Sequence, residues 1–320
     1  MLHLTNGTAV IPLMRDAGVS GRVVPWNDVL HEGPVPIGLN PAAMRDRRAD
    51  FLAGCGWGSA EAIARELAAR DAALADLTGV DEVTLWLEHD LYDQLQLLQI
   101  LDRLPLDGTP RVTAVPDDEY LGPLPAARFR GLYEARRDVT SAERLAARDG
   151  WTAFRSPDPR AIVDVLPRVD LLPHLGPALV RHLQQFPSMA NGLSRTEQQA
   201  LEVVGQGVTR LRDVYIESHH KREPAVFMGD AAFATHVEHL VRGSRPLLHM
   251  TQGPSTAPGS SRRLTIDDEV ALTDDGRRVL EGELDRVRAG GINRWLGGVE
   301  LSGTGPVWRW DQEREKLRLA

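Results

Sequence analysis

Hydrophobic residues fall into two alternating rhythms along the first part of the chain. Leu2-His3-Leu4-Thr5, Gly21-Arg22-Val23-Val24-Pro25-Trp26, Val83-Thr84-Leu85-Trp86-Leu87 and Arg111-Val112-Thr113-Ala114-Val115 are short runs rich in apolar or β-branched residues. Runs without in–out alternation are expected of strands covered on both faces, the parallel kind. Between them the apolar period is helical, from Thr8 to Gly18, from Asn40 to Leu77 and from Leu91 to Leu104. The third stretch sets Leu91, Leu95, Leu98 and Leu101 on one stripe and Asp93, Gln96, Gln99 and Arg103 on the other. Strands alternating with helices predict an α/β fold, with a Rossmann-like, mostly parallel sheet domain over residues 1–140.

Later residues follow a different plan. From about Ala126 to Phe186 the pattern predicts helices broken at Gly150, Pro157 and Pro173, with residues 141–190 acting as a helical bridge. Near Asn191 a second module begins. Leu193-Ser194-Arg195-Thr196-Glu197 is a cap followed by acid, leading a helix to Val204. Helices over Thr209–His220 and Gly229–Val241 follow, then strands Leu247–Thr251 and Leu264–Leu272 joined by a Gly/Pro/Ser loop, then a helix from Thr273. Three helices with a two-stranded wing resemble a winged helix over residues 191–285. Residues 286–320 read as short strands, with Trp295, Trp308 and Trp310 as packing residues.

Length and charge narrow the partners. A chain of 320 residues suggests roughly two domains. Its net charge of −8 argues against indiscriminate binding to nucleic acid or an anionic membrane. Sequence-specific DNA binding is also disfavoured. The third helix of the winged-helix-like module, Asp230 to Val241, carries no Arg, Lys or amide side chain before Arg242, so Arg262 and Arg263 of the wing are better placed to meet phosphate. The lone Cys55 excludes an intramolecular disulfide and a multi-cysteine zinc site. No apolar run approaches the ~20 residues of a membrane span and no targeting segment is evident, so a cytoplasmic location without a membrane partner is expected.

Ionisable residues gather where strands end. Glu88, His89 and Asp90 follow the Val83–Leu87 run without a spacer, and Asp28, His31 and Glu32 follow Trp26, held extended by Gly33-Pro34-Val35-Pro36. Asp117 and Asp118 load a third strand end and could help bind a cation, although turn chemistry accounts for them adequately. Asp90 is placed to cap the next helix, with Asp93 three residues on. Capping does not account for Glu88, because burying an unpaired carboxylate costs several kcal/mol. A partner in His31 or His89 would make a carboxylate–imidazole pair suited to acid–base work. Glu88, His89, Asp90, Asp28, His31 and Glu32 are therefore the candidate catalytic residues. Asn6, Gly7 and Thr8 are the candidate anion-facing turn, and Trp26, Asp93 and Gln94 complete the candidate substrate-binding set. The mixed nitrogen and oxygen donors also suit a divalent zinc, manganese or iron ion, although no His-Glu-x-x-His spacing is present. His174 and His182, in a leucine-rich region, are expected to be packed or partly exposed.

Thr5-Asn6-Gly7, the run from Trp26 through Asp28, Leu30, His31, Glu32 and Gly33 to Pro34, and Leu85 through Leu95 resemble the bacterial family called domain of unknown function 1835. Gly192–Glu197 and Arg294-Trp295-Leu296-Gly297-Gly298-Val299 are similar to its long members. The resemblance implies where a site lies and no particular reaction. Three functions follow as expectations. The first is an enzyme, a hydrolase or group transferase for a small polar, phosphorylated or nucleotide-like molecule. The second is a ligand-sensing regulator contacting DNA or RNA polymerase, and the third a non-catalytic interaction protein. The enzyme expectation requires the loops around Asp28 and His89 to meet at one cleft rim.

Overall fold

The computed structural model describes residues 1–251 and 262–320 and shows a mixed α/β fold. Elements in chain order are β1 (Leu2–Thr5), α1 (Ile11–Asp16), β2 (Arg22–Pro25), β3 (Gly33–Pro34), α2 (Pro41–Gly54), α3 (Ala60–Ala75), β4 (Glu82–Trp86), α4 (Leu91–Arg103), β5 (Arg111–Ala114), α5 (Ala126–Glu134), β6 (Arg137–Asp138) and α6 (Ser141–Phe154). The main sheet runs β2-β1-β4-β5-β6. Its first four strands are parallel, and β6 pairs antiparallel with β5 at the edge.

All residues of β1 and β4 are buried, as their apolar runs require. Side chains of β4 alternate between two cores: Val83 and Leu85 join the larger one, and Trp86 joins Val10, Met14 and Phe129 on the opposite face. From β1 the chain passes to β2 on one side, then returns through α2 and α3 to β4 on the other. The junction of β1 and β4 is therefore the switch point, where open α/β sheets leave a crevice beyond the strand ends.

Helix α6 packs along α4, and the break expected at Gly150 does not occur. A Cβ on Gly150 would lie 3.0 Å from Leu98 Cδ2, so the glycine serves helix contact instead of chain reversal. Helix α1 also departs from expectation. It starts at Ile11, not Thr8, and no side chain caps it.

Next come α7 (Arg160–Val165), α8 (Leu175–Leu183), α9 (Arg195–Gly205), α10 (Leu211–Tyr215) with a π turn over Ile216–His220, and α11 (Asp230–Arg242). An antiparallel ribbon of β7 (Leu248–Met250) and β8 (Val270–Leu272) precedes α12 (Asp274–Leu280) and α13 (Arg286–Gly290). Ser194 and Glu197 form the reciprocal capping pair that the sequence signals at the start of α9. Most of the Gly/Pro/Ser loop expected between the ribbon strands lies outside the described residues.

The chain ends in two hairpins, β9 (Ile292–Gly297) with β10 (Val299–Gly303) and β11 (Trp308–Asp311) with β12 (Lys316–Leu319). Strand β9 also pairs in parallel with β3, matching Gly33 to Leu296 and Pro34 to Gly297. Residues at opposite ends of the sequence thus share one small sheet. Gly33 takes φ +78°, and a Cβ there would collide with the ring of Phe51, so this crossing demands glycine. Among the described residues no helix is long and apolar enough to cross a membrane.

Candidate active site

The β4–α4 corner is locked by its own side chains. Asp90 sits extended at the N-cap of α4, and its Oδ1 accepts from the Asp93 amide at 3.1 Å, the capping role read from the sequence. Asp93 turns back so that its Oδ1 accepts from the Glu88 amide at 2.8 Å. Gln94 Nε2 donates to the Glu88 carbonyl at 2.8 Å.

Two further loops close on this corner. Beyond β1, Asn6 Nδ2 donates to Asp93 Oδ2 at 3.1 Å, and the Tyr92 hydroxyl donates to the Asn6 carbonyl at 3.1 Å. Beyond β5, the Leu121 amide donates to Glu88 Oε1 at 2.7 Å. Three strand ends thus converge, and the carboxylates of Glu88, Asp90 and Asp93 come within 4.8 Å of one another, all buried.

Among the described residues none of these three carboxylates forms an ion pair with Arg or Lys. Burial pushes Asp90 up to about 7, and the charge of Glu88 adds to the effect. Asp93 is raised well above the usual carboxylate range, first by burial and then by Asp90 and Glu88. Glu88 is also raised by burial, against the lowering effect of the Leu121 amide. Like charges this close cannot all persist in a poorly solvated site, so the group holds protons at neutral pH. It is equipped to donate and accept them, and its all-oxygen donor set would also suit a hard divalent cation.

Glu88 does not take the hydrogen-bond partner expected of it. His89 faces away, with Nδ1 3.0 Å from the Asp117 carbonyl, and its ring packs against Tyr120 and His174. Beside His89 opens a cleft of about 410 Å³ between Leu91, helix α8 with Arg181, the start of α9 at Arg195, and Glu223. Arg181 and Arg195 both pair with Glu223, at 2.8 and 3.4 Å. Sequence reasoning missed these cleft residues, because no local motif sets Arg181 or Glu223 apart from other helix-face charges.

The second predicted cluster turns out to be structural. Asp28 is fully buried and pairs with Arg48 at 2.8 Å and Arg70 at 3.3 Å. Burial works to raise its pKa, but the two guanidiniums outweigh it and leave Asp28 below the ordinary value. Glu32 pairs with His236 at 2.6 Å and Arg294 at 3.2 Å, and it too ends low in spite of burial. Trp26 is wholly buried, donates from Nε1 to Gln99 at 2.8 Å and carries Arg70 over its ring, so no substrate can reach it. His31 lies between Tyr92 and Phe227 with neither ring nitrogen partnered among the described residues, and burial pushes it down to about 3.

The shared cleft rim expected of the two loops is therefore not formed by Asp28 or Glu32, whose oxygens are taken by arginine and histidine side chains. His31 alone comes near, through Tyr92. For the same reason the mixed metal-ligand set expected across both loops does not assemble. The anion-facing turn also fails. Of its three residues only Asn6 reaches the site, while the Gly7 carbonyl accepts from Thr5 Oγ1 and Thr8 is exposed ahead of a six-residue helix. No family model matches the chain, and no curated protein matches it closely enough to be counted a relative.

Proposed function

We propose that this protein is an enzyme, a hydrolase or group transferase, acting on a small polar or phosphorylated, nucleotide-like molecule at the crevice beyond β1 and β4. One observation carries the reading. Glu88, Asp90 and Asp93 are buried together at a switch point without a neutralising Arg or Lys among the described residues, whereas Asp28 and Glu32 are paired. A fold gains no stability from three unpaired carboxylates in contact, which is the signature of groups placed for chemistry. In this account Asp90, protonated near neutrality, is the general acid, Glu88 is the base, and Asn6 and Asp93 set their positions. The substrate enters from the cleft lined by His89, where Arg181 and Arg195 offer two cations against the single Glu223. The resemblance of Leu85–Leu95 to the domain of unknown function 1835 points to the same corner.

Hydrolysis assays on a panel of phosphate esters and nucleotides test the proposal. Wild-type turnover of one panel member should fall at least ~100-fold in Glu88→Gln and Asp90→Asn, with folding retained. Equal turnover in both variants would refute the assignment.

A regulator reading rests on the resemblance of residues 191–285 to a winged helix, read onto α9 to α12 and the β7–β8 ribbon. Its reading helix would be α11, yet Ala232, Phe233, Ala234, His236, Val237, Glu238 and Leu240 of that helix are buried. His236 is bonded to Glu32, and Glu238 pairs with Arg263. A DNA probe shifted by the protein, with affinity falling steeply as salt rises, would revive this reading.

A further inference from the structure

We propose that Asp117, Asp118 and His174, with His89 beside them, form a separate site for a divalent transition ion of the zinc class. These residues come from three places: the end of β4, the loop after β5, and the N-cap of α8. His174 makes no capping hydrogen bond there, so helix termination does not account for its side chain.

Its Nε2 lies 3.4 Å from Asp117 Oδ1 and 3.5 Å from Asp118 Oδ1. The three donor atoms all fall within 4.8 Å of one another. A tetrahedral zinc ion with bonds of about 2.0–2.1 Å sets its ligand atoms about 3.3–3.4 Å apart. Both His174 distances approach that edge, and both are long for a hydrogen bond. Neither aspartate pairs with Arg or Lys among the described residues, and nearby Arg137 is bound to Glu143 at 2.7 Å.

His89 supplies an independent sign. A carbonyl oxygen can only accept, so the 3.0 Å contact with the Asp117 carbonyl places the proton of His89 on Nδ1. Nε2 then carries the lone pair, and it has no hydrogen-bond partner among the described residues. An imidazole anchored through its other nitrogen to a backbone carbonyl is how metal-ligating histidines are oriented. The two imidazole centroids are 5.7 Å apart. One imidazole nitrogen and two carboxylate oxygens, with a position left for water, suit zinc, cobalt or manganese better than the all-oxygen preference of magnesium and calcium. The side chain of Asp118 is 82% exposed, so an ion can enter directly from solvent.

The test is a titration of the chelator-stripped full chain with zinc and with cobalt, followed by calorimetry and visible absorption. Expected are one equivalent of tight binding and the intense absorption of four-coordinate cobalt. Affinity should fall at least ~10-fold in His174→Ala and in Asp118→Asn, and stay unchanged in Asp90→Asn. The His174 side chain caps nothing and Asp118 is exposed, so both variants should fold, which circular dichroism checks. Absence of tight binding by the wild type overturns the proposal. Binding lost in Asp90→Asn but kept in His174→Ala also overturns it, and assigns the ion to the Glu88 group instead.

Discussion

Asn6 Nδ2 donates to Asp93 Oδ2 at 3.1 Å, joining the ends of β1 and β4 across 87 positions of sequence. This amide is a neutral donor inside a ring of acids, which lets Asp93 stay in place whether or not its neighbours are charged. Asn6→Asp keeps the shape and adds a fourth acid. Its stability should fall by about 1–3 kcal/mol at pH 8 and recover towards pH 5 as the group takes up protons. Urea unfolding at the two pH values measures this. Equal stability at both would mean that Asn6 does not brace the corner.

Asp90 gives an effect of opposite sign. Its pKa rises from 3.8 to about 7 on folding, so the protonated form is favoured in the native state. Stability from this group is present at low pH and is lost as pH climbs through about 7. Asp90→Asn keeps the oxygen that caps α4 and removes the charge. It should gain on the order of 3 kcal/mol at pH 8 and little at pH 4, while turnover is lost. Denaturation curves at both pH values decide it, and a net loss of stability at pH 8 would contradict the account.

Asp28 should behave as structure. Its carboxylate holds Arg48 and Arg70, whose side chains are 1% and 4% exposed. Asp28→Asn leaves a buried guanidinium short of its counter-charge and should cost about 3–5 kcal/mol. Chemical denaturation measures the loss. A variant as stable as wild type would return Asp28 to the list of functional candidates.

Acid should loosen the interior through histidine. Burial pushes His31, His182 and His219 down to about 3, from 6.5 when unfolded. Among the described residues both ring nitrogens of His31 and of His182 lack partners. Because unfolding lets these rings take up protons, stability is complete above pH 6.5 and declines as pH falls from 6.5 towards 3. By pH 5 each fully buried histidine removes up to about 2 kcal/mol. His182→Leu should therefore unfold at lower pH than wild type in an acid titration, and an unchanged midpoint would show that His182 is not what acid attacks.

The corner from Glu82 to Arg103 was readable because its logic is local. An unbroken apolar run made β4, and Asp90 capped α4 with Asp93 one turn on. Which acids belong to the site was not readable, because their partners are distant. Glu32 meets its partners 204 and 262 positions away, at His236 and Arg294. Asp28 finds Arg48 and Arg70 on helices whose arginines look, in sequence, like a solvated face. Gly150 misled for a related reason. A glycine that ends a helix and one that lets two helices touch are the same letter until Leu98 is brought against it. The packing role expected of Trp310 does hold: it is buried, and Ser188 bridges to it.

Carbon-13 NMR of the labelled side-chain carboxyls, followed from pH 4 to pH 9, is the most direct measurement of the central claim. For the wild type the account predicts that Asp90 titrates near 7, with Asp93 still protonated where exposed carboxylates are fully ionised, and that Glu88→Gln lowers both midpoints. If Glu88, Asp90 and Asp93 all lose their protons near pH 4, independently of one another, the three groups do not share protons. The acid–base site would then not exist.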